Sequence, residues 1–373
     1  MNLVLSEEQK MLKTSVKEFL DNKFPLSNFR KYRDNDFKSI DFDLWTEMAE
    51  MGWTALIIPE KYNGLNFGYV GLGQVIEEMG RRLTVCPIMS TVLISTSIIS
   101  LSKNEFIKSK LFPGIMNGSL FISLAHEESN QHQPLNIQTT IIKEDDNLIL
   151  NGNKNFVIDA NISDYFIVSA KDVSSSNIRL ALVKKSQEGV FVNSKTFMDS
   201  RSYSEITFKN VKIKNDYFIG NTNDDKNILE KVFDIARIGY AAEMLGGIQQ
   251  AFEMTISYLK TREQFGVKIG SFQSLQHRSA LMFAEIELCK SIVLKALQSI
   301  DAVEDLSKNA SLAKAKLGLT YKLISNEAVQ MHGGIGVTDD SDIGFFLKRS
   351  RVIEKAFGDS NFHLDRLSRI GGY

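Results

Sequence analysis

The sequence predicts an α+β fold in which helices and strands occupy separate stretches of the chain. Three observations carry this. Apolar residues recur at helical spacing through residues 1–118, the period shortens to that of strands over 119–222, and long helical patterns return over 223–373. A chain of 373 residues can bury a large core and divide into two or three units.

The first stretch opens on Ser6-Glu7-Glu8-Gln9, a capping-box pattern, with Leu12, Val16, Phe19 and Leu20 following at helical spacing. Further helices are expected over about 43–51 and 71–83, separated by a loop at Pro59-Glu60-Lys61-Tyr62-Asn63-Gly64. Residues 88–101 are apolar but interrupted by Ser and Thr, too short to span a bilayer, and read as a buried helix. In the middle stretch, runs at 147–150, 165–170, 178–183 and 204–208 bounded by Asn, Asp, Ser and Gly are expected strands, with Asn151-Gly152 a tight turn. No strand leads into G-x-G-x-x-G, so a Rossmann nucleotide site is not supported. Residues 228–259 are apolar around the whole helical circumference, the mark of a helix buried inside a bundle; 271–300 and 309–331 follow as two more.

With 43% hydrophobic and 24% charged residues and a formal net charge of -1, nothing suggests a nucleic-acid partner or an acidic tail. Cys86 and Cys289 stand far apart in no C-x-x-C pattern, which fits a reducing compartment and argues against a disulfide scaffold or zinc site. The opening MNLVLSEEQK lacks the basic and apolar regions of a signal peptide. A cytoplasmic protein without a membrane span is expected.

The most informative segment is 258–278, YLKTREQFGVKIGSFQSLQHR. A helical run breaks at Gly266, turns to Gly270 and restarts at Ser271, carrying Arg262, Gln264, Gln273 and His277. An Arg beside a helix break is a natural anion clamp, because guanidinium pairs bidentately with phosphate. A surface helix-turn-helix is the alternative. Some sixty residues on stands QMHGGIG, Gln330 to Gly336.

Together, Arg262, Gln264, Phe265, Gly266, Ile269, Phe272 and Gln273, then Gln330, Gly333, Gly334 and Gly336, resemble two segments of the acyl-CoA dehydrogenase family. These are R-x-Q-F-G-x-x-[IL]-x-x-[FH]-Q and Q-x-x-G-G-x-G, in that order. IPEKYNGLNFG resembles the family's PE-x-x-G-G-x-G loop, and the resemblance extends over essentially the whole chain. It implies an N-terminal α-helical domain, a β-barrel-like middle domain and a C-terminal four-helix bundle. It also implies FAD as cofactor, an acyl-CoA thioester as substrate and electron-transfer flavoprotein as electron acceptor. A homo- or hetero-oligomer, dimer or tetramer, is implied too. The family reaction is α,β-desaturation, in which a carboxylate removes the α proton while flavin N5 takes hydride from the β carbon.

By the same resemblance, Arg262 matches the Arg that meets FAD pyrophosphate across a subunit interface. Phe265, Gln273, Gln330 and the backbone at Gly333-Gly334 match further cofactor positions. Phe156 falls where an aromatic packs by the isoalloxazine, and Ile158 replaces a hydroxyl residue that hydrogen-bonds near N5; strand core is the alternative for both.

The departures concern the base. The family's usual Glu aligns with Phe357, whose backbone N–H can still serve as an oxyanion donor, and the second known base position aligns with Ala236, before Arg237. Two acids remain. Glu243 lies on an apolar helix among Gly239, Gly246 and Gly247, which either leave a hollow for a flat ligand or permit close helix packing, with Glu243 then pairing to a neighbouring cation. Asp359 is the other candidate base, or else a helix N-cap. A third departure is His126-Glu127-Glu128-Ser129-Asn130-Gln131-His132, where the family has T-E-P-x-A-G-S-D. Its spacing matches no zinc signature, so it reads as a polar loop, with no metal expected. Such a chain is either a working dehydrogenase with a relocated base or a non-catalytic partner subunit that completes a neighbour's FAD site.

Overall fold

A computed structural model describes residues 3–34, 40–144, 147–220 and 224–373. The boundary expected at 222/223 lies outside the described residues. In chain order the elements are α1 (Glu7–Lys23), α2 (Leu26–Asp34), α3 (Phe42–Glu50), α4 (Tyr69–Arg82), α5 (Thr96–Leu101) and α6 (Glu105–Met116). The strands β1 (Ile122–Ala125), β2 (Thr140–Glu144), β3 (Asn147–Ile158), β4 (Tyr165–Asp172), β5 (Ile178–Lys184), β6 (Val190–Thr196) and β7 (Ser202–Ile213) follow. Then come α7 (Asp225–Thr261), β8 (Glu263–Gln264), β9 (Val267–Lys268), α8 (Gln273–Ala302), α9 (Leu306–His332), α10 (Ile343–Lys355) and α11 (Ser360–Gly371). The order is helices, sheet, helices: an α+β protein.

The chain falls into two compact units. One gathers Met1–Asp34, Tyr69–Thr84 and Arg237–Tyr373; the other gathers Asn35–Gly68 and Val85–Ala236. The N-terminal helices, a single stretch in sequence, are therefore shared between the two. Glycines explain why α4 joins the C-terminal helices. A Cβ on Gly80 would lie 2.2 Å from the Glu243 carbonyl oxygen, one on Gly246 only 1.8 Å from that of Glu77. The backbones of α4 and α7 touch there, which only glycine allows.

Within this first unit α1 starts on the expected capping box: Ser6 Oγ accepts from Gln9 N, and Gln9 Oε1 accepts from Ser6 N. The long helices α7, α8 and α9 bury Met244, Leu245, Ile248, Val293, Leu297, Leu317, Tyr321 and Ile324. Burial of such side chains stabilises by roughly 1.5–3 kcal/mol each.

The second unit is built on one seven-stranded sheet. β1 and β2 both run parallel to β4, at Ile122↔Tyr165 and Thr140↔Lys171, while β2–β3, β3–β7, β6–β7 and β4–β5 are antiparallel. Phe166, Val168, Ala170, Ala181, Val183, Ile206, Phe208 and Val211 form its core. Asn151-Gly152 is not a hairpin turn but an irregularity inside the twelve-residue β3, whose register against β7 shifts between Leu150 and Gly152. Gly152 is needed because a Cβ there would meet Thr139 Oγ1 at 2.4 Å. A second shift, between Lys154 and Val157, turns Phe156 to φ 54°. Residues 88–101 are a buried helix as read, but wound as π-helix over Ile88–Ser95 before α5. Thr91 and Ser95 hydroxyls hold it to the Ile122 carbonyl. Among the described residues no helix is long and apolar enough to cross a membrane.

Candidate functional site

Arg262 follows the last turn of α7 and is exposed. The two short strands β8 and β9 pair antiparallel, and their turn is Phe265 (φ 55°) and Gly266 (φ 76°). That geometry leaves the Phe265 ring 90% exposed, with Phe272 6.1 Å away edge-on. Gln273 begins α8 and Gln330 is exposed on the last turn of α9. His332 closes α9: its Nδ1 lies 2.7 Å from the Ala328 carbonyl and its ring stacks on Tyr258 at 4.6 Å. Burial pushes its pKa down, so it is a packing group. This stack sets the ends of α7 and α9 side by side, so Arg262 and Gly333 emerge at the same end of the bundle. Gly333 (φ 67°) and Gly334 are exposed, and a Cβ on either would meet nothing within 4 Å. An exposed guanidinium and approachable backbone amides are the donors a diphosphate takes, so these residues fit a dinucleotide-type flavin.

The loop between α10 and α11 is strained. Phe357 has φ 54° and Gly358 φ 100°. Buried donors hold it there. The Phe357 carbonyl accepts from Arg237 Nε at 3.1 Å and from His363 Nε2 at 3.1 Å; the Gly358 carbonyl accepts from Lys314 Nζ at 2.9 Å. Because a carbonyl only accepts, the His363 proton sits on Nε2. Burial, with Arg237 and Lys314 nearby, holds this imidazole far below its ordinary value, hence neutral. Burial also lowers Lys314 to about 7. The Phe357 ring lies 5.8 Å from that of Tyr240.

Neither carboxylate proposed as base from sequence has the surroundings of one. Asp359 is the N-cap of α11: Oδ1 accepts from Phe362 N at 2.9 Å and Oδ2 from Lys355 Nζ at 2.8 Å. Those two bonds hold its carboxyl below the usual range, which makes it a weaker base. Glu243 is 5% exposed and its Oε1 accepts from Arg349 Nε at 3.0 Å and Nη2 at 2.8 Å, a buried pair between α7 and α10. The hollow expected beside it is filled, by the Glu77 carbonyl at Gly246 and by the Tyr321 hydroxyl at Gly247.

In the second unit Phe156 and Ile158 are half-buried, while Val157 between them is the core residue. Phe156 joins Phe197 and Tyr203, whose rings stack at 4.1 Å, in an aromatic platform. The Ile158 carbonyl accepts from Ser123 Oγ at 2.7 Å. An open groove of about 700 Å³ is lined by Leu135, Gln138, Lys171, Asn177, Lys226 and others.

The 126–132 loop is ordered by a wholly buried lysine. Lys154 Nζ donates to Glu128 Oε1 at 2.7 Å, the His126 carbonyl at 3.1 Å and Ser169 Oγ at 3.1 Å. Desolvation lowers Lys154 to about 8 despite its carboxylate partner. His132 Nδ1 lies 2.5 Å from Glu127 Oε1. Among the described residues no group of three or more His, Cys, Asp and Glu is arranged to hold a metal.

Sequence reasoning missed Lys314 and His363. Lys314 carried a signal, being a cation on the apolar stripe of Ala310, Leu317 and Tyr321. His363 carried none.

Three family profiles match the chain: acyl-CoA dehydrogenase N-terminal domain over residues 6–119, middle domain over 125–211 and C-terminal domain over 226–371. The short/branched chain specific acyl-CoA dehydrogenase of Bos taurus mitochondria is 26% identical, covering 98% of this chain and 85% of its own. A 3-(aryl)acrylate reductase of Clostridium sporogenes is 29% identical over 94% of this chain and 95% of its own. The structure of butyryl-CoA dehydrogenase from Megasphaera elsdenii superposes with a TM-score of 0.91 at 23% identity, covering 100% of both chains, a likeness of fold.

Proposed function

Because the chain belongs to the acyl-CoA dehydrogenase family, flavin-dependent oxidoreductases, we propose that it desaturates an acyl-CoA thioester between Cα and Cβ with FAD as its flavin. The observation that carries this reading is the pair formed by Arg262 and the open backbone at Gly333-Gly334, donors suited to a diphosphate. When bound, the flavin supplies the hydride acceptor. The protein's part is to hold and polarise the thioester. The backbone N–H of Phe357, in a loop pinned by Arg237, His363 and Lys314, is suited to donate to the thioester oxygen as enolate charge develops there. Lys171 and Lys226, in a groove of about 700 Å³, suit the phosphates of coenzyme A. The platform of Phe156, Phe197 and Tyr203 offers a flat apolar face to the isoalloxazine.

The Phe265 tip and the exposed Leu281 and Leu288 of α8 are apolar surface that a second chain would cover, bringing Arg262 to that chain's cofactor. Electron-transfer flavoprotein is the proposed acceptor of the electrons. Purified alone, the protein should be yellow and bleach anaerobically with a short branched acyl-CoA; a flavin that stays oxidised with every acyl-CoA tried would sink the proposal.

One observation favours a second reading, a partner subunit without chemistry of its own. Phe357 and Ala236 occupy the two acid positions of the family, and Glu243 is committed to Arg349. In that case the chain alone is colourless and acquires flavin only when co-expressed with a homologous chain.

A further inference from the structure

We propose that Arg33 of α2, through a two-pronged ion pair with Asp339, is a positioning residue for the coenzyme: it fixes the segment that presents the Gly333-Gly334 backbone. The assignment rests on the reading of that backbone as a diphosphate site. Residues 333–342 join α9 to α10 and belong to the same compact unit as α2. The end of α9 anchors their first half. His332 stacks on Tyr258, and Gly336 packs so closely that a Cβ there would come within 2.6 Å of the Val329 carbonyl oxygen. Thr338 N and Oγ1 both donate to the Ile335 carbonyl, at 3.1 and 2.9 Å, and close the turn. A Cβ on Gly333 or Gly334 would meet nothing within 4 Å, so the direction of these amides depends on what grips the chain on either side.

α2 grips the second half. Arg33 donates to both carboxylate oxygens of Asp339, to Oδ2 from Nη2 at 2.8 Å and to Oδ1 from Nη1. Arg30 donates to Asp339 Oδ2 at 2.9 Å and to Asp342 Oδ1 at 2.6 Å. Both guanidiniums also lie over the ring of the buried Phe345, Arg30 at 4.9 Å and Arg33 at 5.1 Å, and Phe29 meets that ring edge-on at 5.1 Å. A planar fork seated on a ring and on a carboxylate fixes a direction, which the single point charge of a lysine does not. The Arg33 guanidinium holds the Asp339 carboxyl down to about 2, so the pair stays charged throughout the neutral range.

Exposure separates a positioning role from a structural one. The Asp339 side chain is 66% exposed, and a pair so open to water contributes little to folding. Amides aimed at an anion, in contrast, lose their hold steeply as the donor angle falls away. The sign of the effect is also diagnostic. Asp339 is an anion shortly after a site read as taking an anion, so by charge alone its removal would tighten binding. If Asp339 acts by holding the segment in place, its removal loosens binding instead.

The test is retention of FAD by the flavin-loaded oligomer, followed as the rise in flavin fluorescence on dilution. Asp339→Asn and Arg33→Gln should each raise the Kd for FAD about fivefold. The double variant should be no worse than either single one, because both act through one contact. Melting of the flavin-free variants should stay within about 2 °C of the flavin-free parent. An Asp339→Asn protein that holds FAD as well as wild type, or better, overturns the positioning role. So do effects that simply add in the double variant. A variant that fails to fold overturns it too, since the pair is then structural. A wild type that takes up no FAD, alone or with a homologous chain, overturns the diphosphate reading and this assignment with it.

Discussion

Glu243 has two fates in the sequence, base or ion-pair partner, and the buried contact with Arg349 favours the second. Removing one charge of a buried pair leaves the other unmatched in low dielectric, which costs about 3–5 kcal/mol. Glu243→Gln should therefore lower the unfolding free energy read from urea titrations by an amount of that order. Turnover per flavin-bearing site should stay within a factor of about two if the carboxylate serves only the pair with Arg349. A variant as stable as wild type but inactive would reverse that conclusion. The same residue shows where sequence reasoning stops. Its apolar helix and its flanking glycines are legible, but what fills the space beside a glycine belongs to another segment: Glu77 for Gly246, Tyr321 for Gly247. Phe357 enters the sequence reading only through the resemblance, and neither its φ of 54° nor the three buried donors to the Phe357 and Gly358 carbonyls, from α7, α9 and α11, is legible there.

At the scale of elements, the α9–loop contact has a pH signature. Lys314 is held at about 7 when folded and returns to its ordinary value near 10.5 when unfolded. Between those values the unfolded chain binds a proton that the folded chain does not, so stability from this group rises with pH across that window. Lys314→Met should flatten the rise of the urea midpoint between pH 7 and about 9.5. An unchanged slope would mean that the ammonium stays charged between its carbonyl partners. Most helices were legible because their signals are local: the capping box of α1, the apolar circumference of α7, the Ser and Thr within 88–101. The strands were legible by their bounding residues, but Asn151-Gly152 was mistaken for a turn. Nothing local distinguishes a hairpin end from a bulge whose glycine faces Thr139. The Glu127–His132 contact was illegible for a related reason, since the fold-back of 126–132 depends on Lys154 and Asn155 of β3.

For the molecule as a whole, the apolar tip at Phe265 and the face of α8 bearing Leu281 and Leu288 are too large to leave in water without consequence. Phe265→Asp should shift the species seen in sedimentation toward single chains and lower flavin content in parallel. Weakened assembly with full flavin content would mean that each chain holds its cofactor unaided.

Gly334 lets folding and coenzyme retention be separated in one substitution. Nothing in the protomer stands within 4 Å of the methyl that alanine would add, and its φ lies outside the left-handed region. The apoprotein of Gly334→Ala should melt within about 1 °C of its parent, since a surface change of this kind stays within roughly ±0.5 kcal/mol. Only a molecule lying on that backbone would register the methyl. A slower re-uptake of yellow coenzyme by this variant, at equal melting temperature, would mark the ground on which it rests.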